Sequence, residues 1–177
     1  MPNENQKQLV SDLLSLMNAD DKIIYKQIID LLMEFGYMPQ KQNSGGALVL
    51  DFKNNKLKEK IAKIGVKDTA GKTGLSLKFY ASSDYSQKFS DGVRDRCGWW
   101  LSDNGIKYVK IIQNKYIACL SCGKCNNYRK AYKYQYPDGK TVICCGGELI
   151  RVQNITIDDV DEIKRLIREQ HEFFLNG

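Results

Sequence analysis

One histidine in 177 residues, His171, removes most acid–base and nucleophilic machinery at the outset. A Ser/His/Asp set would have to be built around that single imidazole, which stands in a stretch of helical spacing with no partner recognisable nearby. A lone helical histidine reads first as packing or surface. Long apolar runs are missing too: none approaches the ~20 residues that a membrane span needs, so no membrane partner is expected. The first residues, "MPNENQKQLVSD", are polar and acidic, with no basic cap ahead of an apolar segment. A secretory signal is therefore not expected, and a cytoplasmic setting with reduced thiols is. A complete phosphate-binding loop is absent as well. "GKTG" at 71–74 resembles the end of one, but Val66 fills the place where the first glycine belongs, and a strand pattern follows where a helix should. Paired carboxylates such as Asp158 and Asp159 read as helix-start charges. These absences leave no catalytic residue to nominate.

What is present suits a folding domain: 42% hydrophobic and 27% charged residues, with enough chain to bury roughly 70% of the surface that the unfolded state exposes. Charge is unevenly distributed. Residues 1–52 carry 4 Lys/Arg against 7 Asp/Glu, residues 152–177 carry 3 against 6, and residues 53–151 carry 20 against 8. A basic middle of that kind either solvates exposed strand faces or attracts a phosphate-bearing or acidic partner.

Periodicity divides the chain into alternating helix and strand patterns. Val10, Leu13, Leu14 and Met17 recur at helical spacing; Ile24, Ile28, Leu31, Leu32 and Phe35 do so again, with Asp20 or Asp21 as cap and Gly36 as left-handed terminator. "YMPQKQ" and "ALVLDF" flank the turn cluster "NSGG". "KIAKIGV" alternates through Ala62, Ile64 and Val66, and "GLSLKFY" through Leu75, Leu77 and Phe79, the period of half-buried strands. Helical spacing returns with Tyr85, Phe89, Val93 and Cys97, capped by Ser82 or Ser83. "KYVKII" and "KYIACL" read as two more strands. Thr156 and Asp159 form a capping-box pattern ahead of the stripe Val160, Ile163, Leu166, Ile167 and Phe174. The expected fold class is α+β: a mostly antiparallel sheet covered by helices, with a Cys-rich hairpin and a C-terminal helix. Within one compact domain this gives an α+β core over 1–116, a hairpin module over 117–150, and a C-terminal helix over 151–177.

Five of the six cysteines fall in "CLSCGKCNNYRKAYKYQYPDGKTVICCGGE". Cys119, Cys122 and Cys125 have C-x2-C-x2-C spacing, and "CLSCGK" has the shape of a zinc knuckle. A tetrahedral zinc site needs a fourth ligand with Zn–S near ~2.3 Å. The turn "YPDGK" can deliver it. With Pro-Asp-Gly as the loop, Tyr134 pairs with Val142, Tyr132 with Cys144 and Ala131 with Cys145. Adjacent strand residues point to opposite faces, so one of Cys144 and Cys145 ligates and the other packs. "CGGE" repeats the Cys-Gly step of a knuckle, which favours Cys145, with Cys144 as the alternative. Packed or disulfide-bonded thiols, an iron–sulfur cluster and a redox dithiol are the competing readings. Four thiolates would close the site, so the zinc is expected to be structural.

The stretch 117–150 resembles the zinc-ribbon class, in which a knuckle and a hairpin share one zinc; adjacent cysteines here replace that class's second C-x2-C. "GLSLKFYASSDYSQKFSDGVRD" is also similar to the strand-then-helix unit of small YjbR-like bacterial domains, a likeness that implies no function. Between the cysteine groups runs the basic, Tyr-rich "NNYRKAYKYQY". There Lys124, Arg129, Lys130 and Lys133 offer charge, and Tyr132 and Tyr134 offer stacking surfaces of the kind that hold single-stranded nucleic acid. The same tyrosines equally suit a half-buried strand. The expected function is a non-enzymatic, zinc-stabilised binding module for nucleic acid or an acidic protein. The alternative is an enzyme or small-ligand sensor with a pocket between sheet and helices.

Overall fold

The computed structural model describes residues 2–42, 47–67, 72–79, 81–82, 84–97, 110–118, 130–135, 141–144 and 149–176, with the backbone alone at 67, 93–97, 110–118, 130–135 and 141–144. Two helices open the chain, α1 (Glu4–Ser15) and α2 (Ala19–Glu34). Asn3 caps α1 by accepting from Gln6 N–H at 2.9 Å, and Asn18 caps α2 by accepting from Asp21 N–H at 2.8 Å. The cap of α2 is thus Asn18 rather than Asp20 or Asp21, which instead place negative charge in the first turn, where the helix dipole favours it. Gly36 ends α2 at φ +80° as expected. Asn54 seals that end, its side-chain amide donating to Phe35 C=O at 3.0 Å.

The strands β1 (Met38–Gln42), β2 (Leu48–Asn54), β3 (Glu59–Lys67) and β4 (Lys72–Leu77) form an antiparallel meander. After α3 (Gln87–Cys97), β5 (Lys110–Ala118), β6 (Lys130–Gln135) and β7 (Thr141–Cys144) make a separate three-stranded antiparallel sheet in the order β5-β6-β7. The chain then returns: β8 (Ile150–Val152) pairs antiparallel with β4 and completes the sheet β1-β2-β3-β4-β8. The 3-10 turn Ile157–Asp159 leads into α4 (Val160–Asn176). The α+β class with an antiparallel sheet and a C-terminal helix is what the periodicity predicts.

Register explains the layering. Leu50, Ile64, Leu75 and Val152 form one cross-strand row, and Phe52, Ala62, Leu77 and Ile150 the next. All eight are buried, facing the stripes of the helices, where Leu13, Ile28, Leu32, Ile163, Leu166 and Ile167 are fully inaccessible. Polar contacts register the layers. Thr73 Oγ1 donates to Asp21 Oδ2 at 2.6 Å, and Lys164 Nζ to Gln27 Oε1 at 2.8 Å.

Two further expectations change. Ser82 does not cap α3; its hydroxyl serves a local turn with Asp84, and the helix begins at Gln87. Tyr85, ahead of the helix, is still buried and meets Phe79 edge to face, with centroids 5.2 Å apart. The described parts of "KYVKII" and "KYIACL" belong to one continuous strand, β5 (Lys110–Ala118), whose pairing with β6 is irregular between Ile111 and Ile117. The Thr156/Asp159 box does form, with the Asp159 carboxylate accepting from Thr156 N–H at 2.7 Å. Burial would raise the pKa of Asp159, but the Lys88 ammonium and the Thr156 donors together hold it below the usual carboxylate value.

Candidate functional site

Cys119, Cys122, Cys125 and Cys145, with Lys124 and Arg129, lie outside the described residues. Cys144 closes β7, and Lys130, Tyr132, Lys133 and Tyr134 lie on β6. The hairpin register is the expected one: Tyr134 pairs with Val142 and Tyr132 with Cys144. Across the other edge of β6, Ala118 pairs with Lys130 and Ile117 with Ala131. Chain 119–129 therefore leaves and re-enters the sheet at the end where β7 stops, with Cys144 two positions along β6 from the Lys130 pairing. Among the described residues, no group of three or more His, Cys, Asp or Glu could hold a metal ion.

His171 lies on α4 against the end of α2. Its ring stacks on Phe35 (centroids 4.5 Å apart, planes 11° apart), and its Nδ1 lies 3.2 Å from the hydroxyl of fully buried Tyr37. Burial pulls the imidazole pKa below its ordinary value, with Glu172 acting weakly the other way. Burial, reinforced by the Glu59 charge, pushes the Tyr37 phenol far above the usual range. The cluster continues to Lys78, whose Nζ lies 3.0 Å from Glu59 Oε2 and 5.7 Å from the Phe174 ring centre. This is a neutral His–Tyr contact beside a largely buried ion pair, tying α4 to the sheet.

Among the described residues, two concavities open to solvent stand out. A cleft of about 610 Å³ runs between the start of α2 and the turn before α4, edged by Asp20 and Asp21 and floored partly by Ile24 and Ile155. The second, of about 190 Å³, lies on the sheet face opposite the helical core. Its floor is Gly65 and Gly74, which pair directly across β3 and β4, with Val49 beside Gly65. Lys63, Lys72 and Arg151 rim it, and Ser76 lies between Lys63 and Arg151 in register. The strand positions sharing this face carry one carboxylate, Asp51, and Lys60 engages it at 3.2 Å.

Sequence reasoning placed the lysines in the basic middle of the chain but not on one face. The Gly65–Gly74 juxtaposition appears only when the β3–β4 register is known. Of the residues nominated from sequence, the structure brings Tyr132 and Cys144 together across a pair of strands. Compared with known protein families, curated proteins and solved structures, the chain matches none of them.

Proposed function

We propose that the chain is a non-enzymatic binding module stabilised by one structural zinc, and that its basic Tyr-rich strand contacts nucleic acid or another anionic partner. The observation that carries this reading is the β5-β6-β7 register. Ala118–Lys130 and Tyr132–Cys144 stand at the same end of one sheet, so the connection bearing Cys119, Cys122 and Cys125 starts two strands and finishes one strand away from the Cys144–Cys145 step. Neighbouring strands lie roughly 4.8 Å apart, within reach of a shared tetrahedral ion. The donor chemistry fits: four thiolates are a soft, closed set that suits Zn2+ and leaves no coordination position for substrate. Cys119, Cys122, Cys125 and Cys145 would hold the ion, Cys144 being the alternative fourth ligand. Lys124, Arg129, Lys130 and Lys133 would supply charge, and Tyr132 and Tyr134 stacking surface.

Elemental mass spectrometry on protein purified under reducing conditions without added metal tests the metal. One zinc per chain is expected, lost in Cys122→Ser. Loss in Cys145→Ser but retention in Cys144→Ser would identify the fourth ligand. No metal, with all six thiols titratable, would overturn the proposal. Charge reversal at Arg129 and Lys133 should abolish binding of an anionic partner with the melting temperature unchanged.

A further inference from the structure

We infer that the open face of the five-stranded sheet is a second, independent anion-binding surface, and that its occupant is the phosphodiester backbone of single-stranded nucleic acid. It is made of other residues than the Tyr-rich strand and stands or falls apart from it.

The face is built from alternation. Positions whose neighbours fill the core must point away from it, so Lys63, Lys72 and Arg151 are set outward by the burial of Ile64, Leu75, Val152 and Ile150. Lys72 and Arg151 are exposed and Lys63 is half-buried. The face's carboxylate, Asp51, lies beside Lys63 in register but is held by Lys60. Among the described residues no carboxylate pairs with Lys63, Lys72 or Arg151. Three cations thus edge the trench, none of them in an ion pair among the described residues.

The trench has a floor that charge alone would not provide. Gly65 and Gly74 sit opposite each other, so neither of two adjacent strands raises a side chain at this level; Gly65 is buried beside Val49 and Gly74 is half-buried. The reasons for the two glycines differ. A Cβ on Gly65 would meet Val49 Cγ2 at 2.8 Å, whereas a Cβ on Gly74 would find nothing nearer than Gly65 C=O at 4.0 Å. Packing therefore accounts for Gly65 but not for Gly74, and neither has a positive φ that would demand glycine. Glycine in a strand interior costs stability and commonly marks close approach of a ligand or another backbone.

Charge and shape together choose the occupant. Lys63 and Arg151 flank β4 on either side, roughly 10 Å apart, and Lys72 lies four residues from their row, roughly 14 Å along the strand. That is a channel one extended chain wide with cations on both banks. An acidic protein would want an aromatic or aliphatic anchor at the centre, and among the described residues Val49 is the trench's one apolar lining side chain. A phosphodiester chain needs only charge and a floor it can lie against. No aromatic occupies a strand position on this face, so binding should disregard base sequence.

The test is fluorescence anisotropy with labelled 20-nucleotide single-stranded DNA, mixed-sequence and all-thymidine, from 0.05 to 0.3 M salt. The wild-type chain should bind both alike. Replacing Lys63, Lys72 and Arg151 together by glutamine should weaken binding about 100-fold at 0.1 M salt and flatten the log–log salt slope by about 2, at ~0.7 per phosphate contact. Gly74→Val, which changes no charge, should keep the wild-type melt and weaken binding about tenfold by filling the floor. Wild-type affinity in both variants overturns the inference, as does poly-glutamate competing as strongly as DNA, which would assign the face to an acidic protein. If Arg129/Lys133 reversal abolishes binding while the glutamine variant binds normally, the sheet face is excluded and the hairpin surface stands. The opposite pattern excludes the hairpin surface and keeps the sheet face.

Discussion

Replacing Glu59 by glutamine should remove the carboxylate that lies 3.0 Å from the Lys78 ammonium. The Lys78 side chain is 7% exposed and that of Glu59 17%, with Nζ and Oε2 3.0 Å apart. At that distance and an effective dielectric of 20, the gross attraction is about 5–6 kcal/mol. Taking both charges out of water cancels most of it, so the intact pair adds little net stability. One-sided loss is a different matter. It takes the carboxylate 3.0 Å away from a largely buried ammonium, and such losses cost about 3–5 kcal/mol. Because the edge of Glu59 meets solvent, the lower end, about 3 kcal/mol, is expected. For a chain of this length that is a fall in Tm of roughly 6–12 °C. Lys78→Met should cost a similar amount, whereas Glu59→Gln with Lys78→Met removes both charges and should return to within about 1 kcal/mol of wild type. Urea denaturation of the four proteins at pH 7 closes the cycle. Single variants within about 0.5 kcal/mol of wild type, or strictly additive losses, would refute the reasoning.

Two other perturbations follow from the same corner of the fold. The His171 pKa is lowered below 6.5 by burial, so protons bind the unfolded chain more readily; its stability contribution is complete above pH 6.5 and is lost as pH falls through that value toward the folded pKa. Urea midpoints from pH 8 to pH 5 should drop more steeply for wild type than for His171→Phe, and equal slopes would exclude the effect. Gly36→Ala would carry a Cβ at φ +80°, 3.1 Å from Asn54 Nδ2, and should cost about 1–2 kcal/mol by thermal denaturation. Gly36→Asn should cost less, since asparagine tolerates the left-handed region.

Where burial and period coincide, the sequence was readable. Ala62, Ile64 and Val66, then Leu75, Leu77 and Phe79, are buried as their alternation demands. The hairpin register at Tyr132 and Tyr134 followed from a Pro-Asp-Gly turn, because loop length fixes which residues face each other. Misreadings arose where adjacent residues share one capability. Asn18, Asp20 and Asp21 can all cap a helix, and only backbone geometry selects Asn18. Tyr85 and Phe89 are four apart and both buried, which imitates a helix, although Tyr85 precedes it. Gln113 and Asn114 separate the two expected strands "KYVKII" and "KYIACL", yet β5 runs through them. The glycine-floored trench was illegible for a deeper reason: residues 65 and 74 acquire their meaning from each other, and periodicity within a strand carries no information about the strand beside it.

Because β8 pairs with β4, everything from residue 78 to residue 149 is a detour between two neighbouring strands of one sheet. Synthesis at ~5–20 residues per second therefore delivers β1–β4 seconds before the edge strand and helix that cover them. In that interval Leu75 and Leu77 have neither Val152 and Ile150 beside them nor α4 above them. The nascent chain waits with an apolar face uncovered and a strand edge unpaired, the condition in which chaperones engage and in which truncation would be most damaging. Loop-closure entropy rises only with the logarithm of length, so the length of the detour adds little to the cost of bringing β8 to β4.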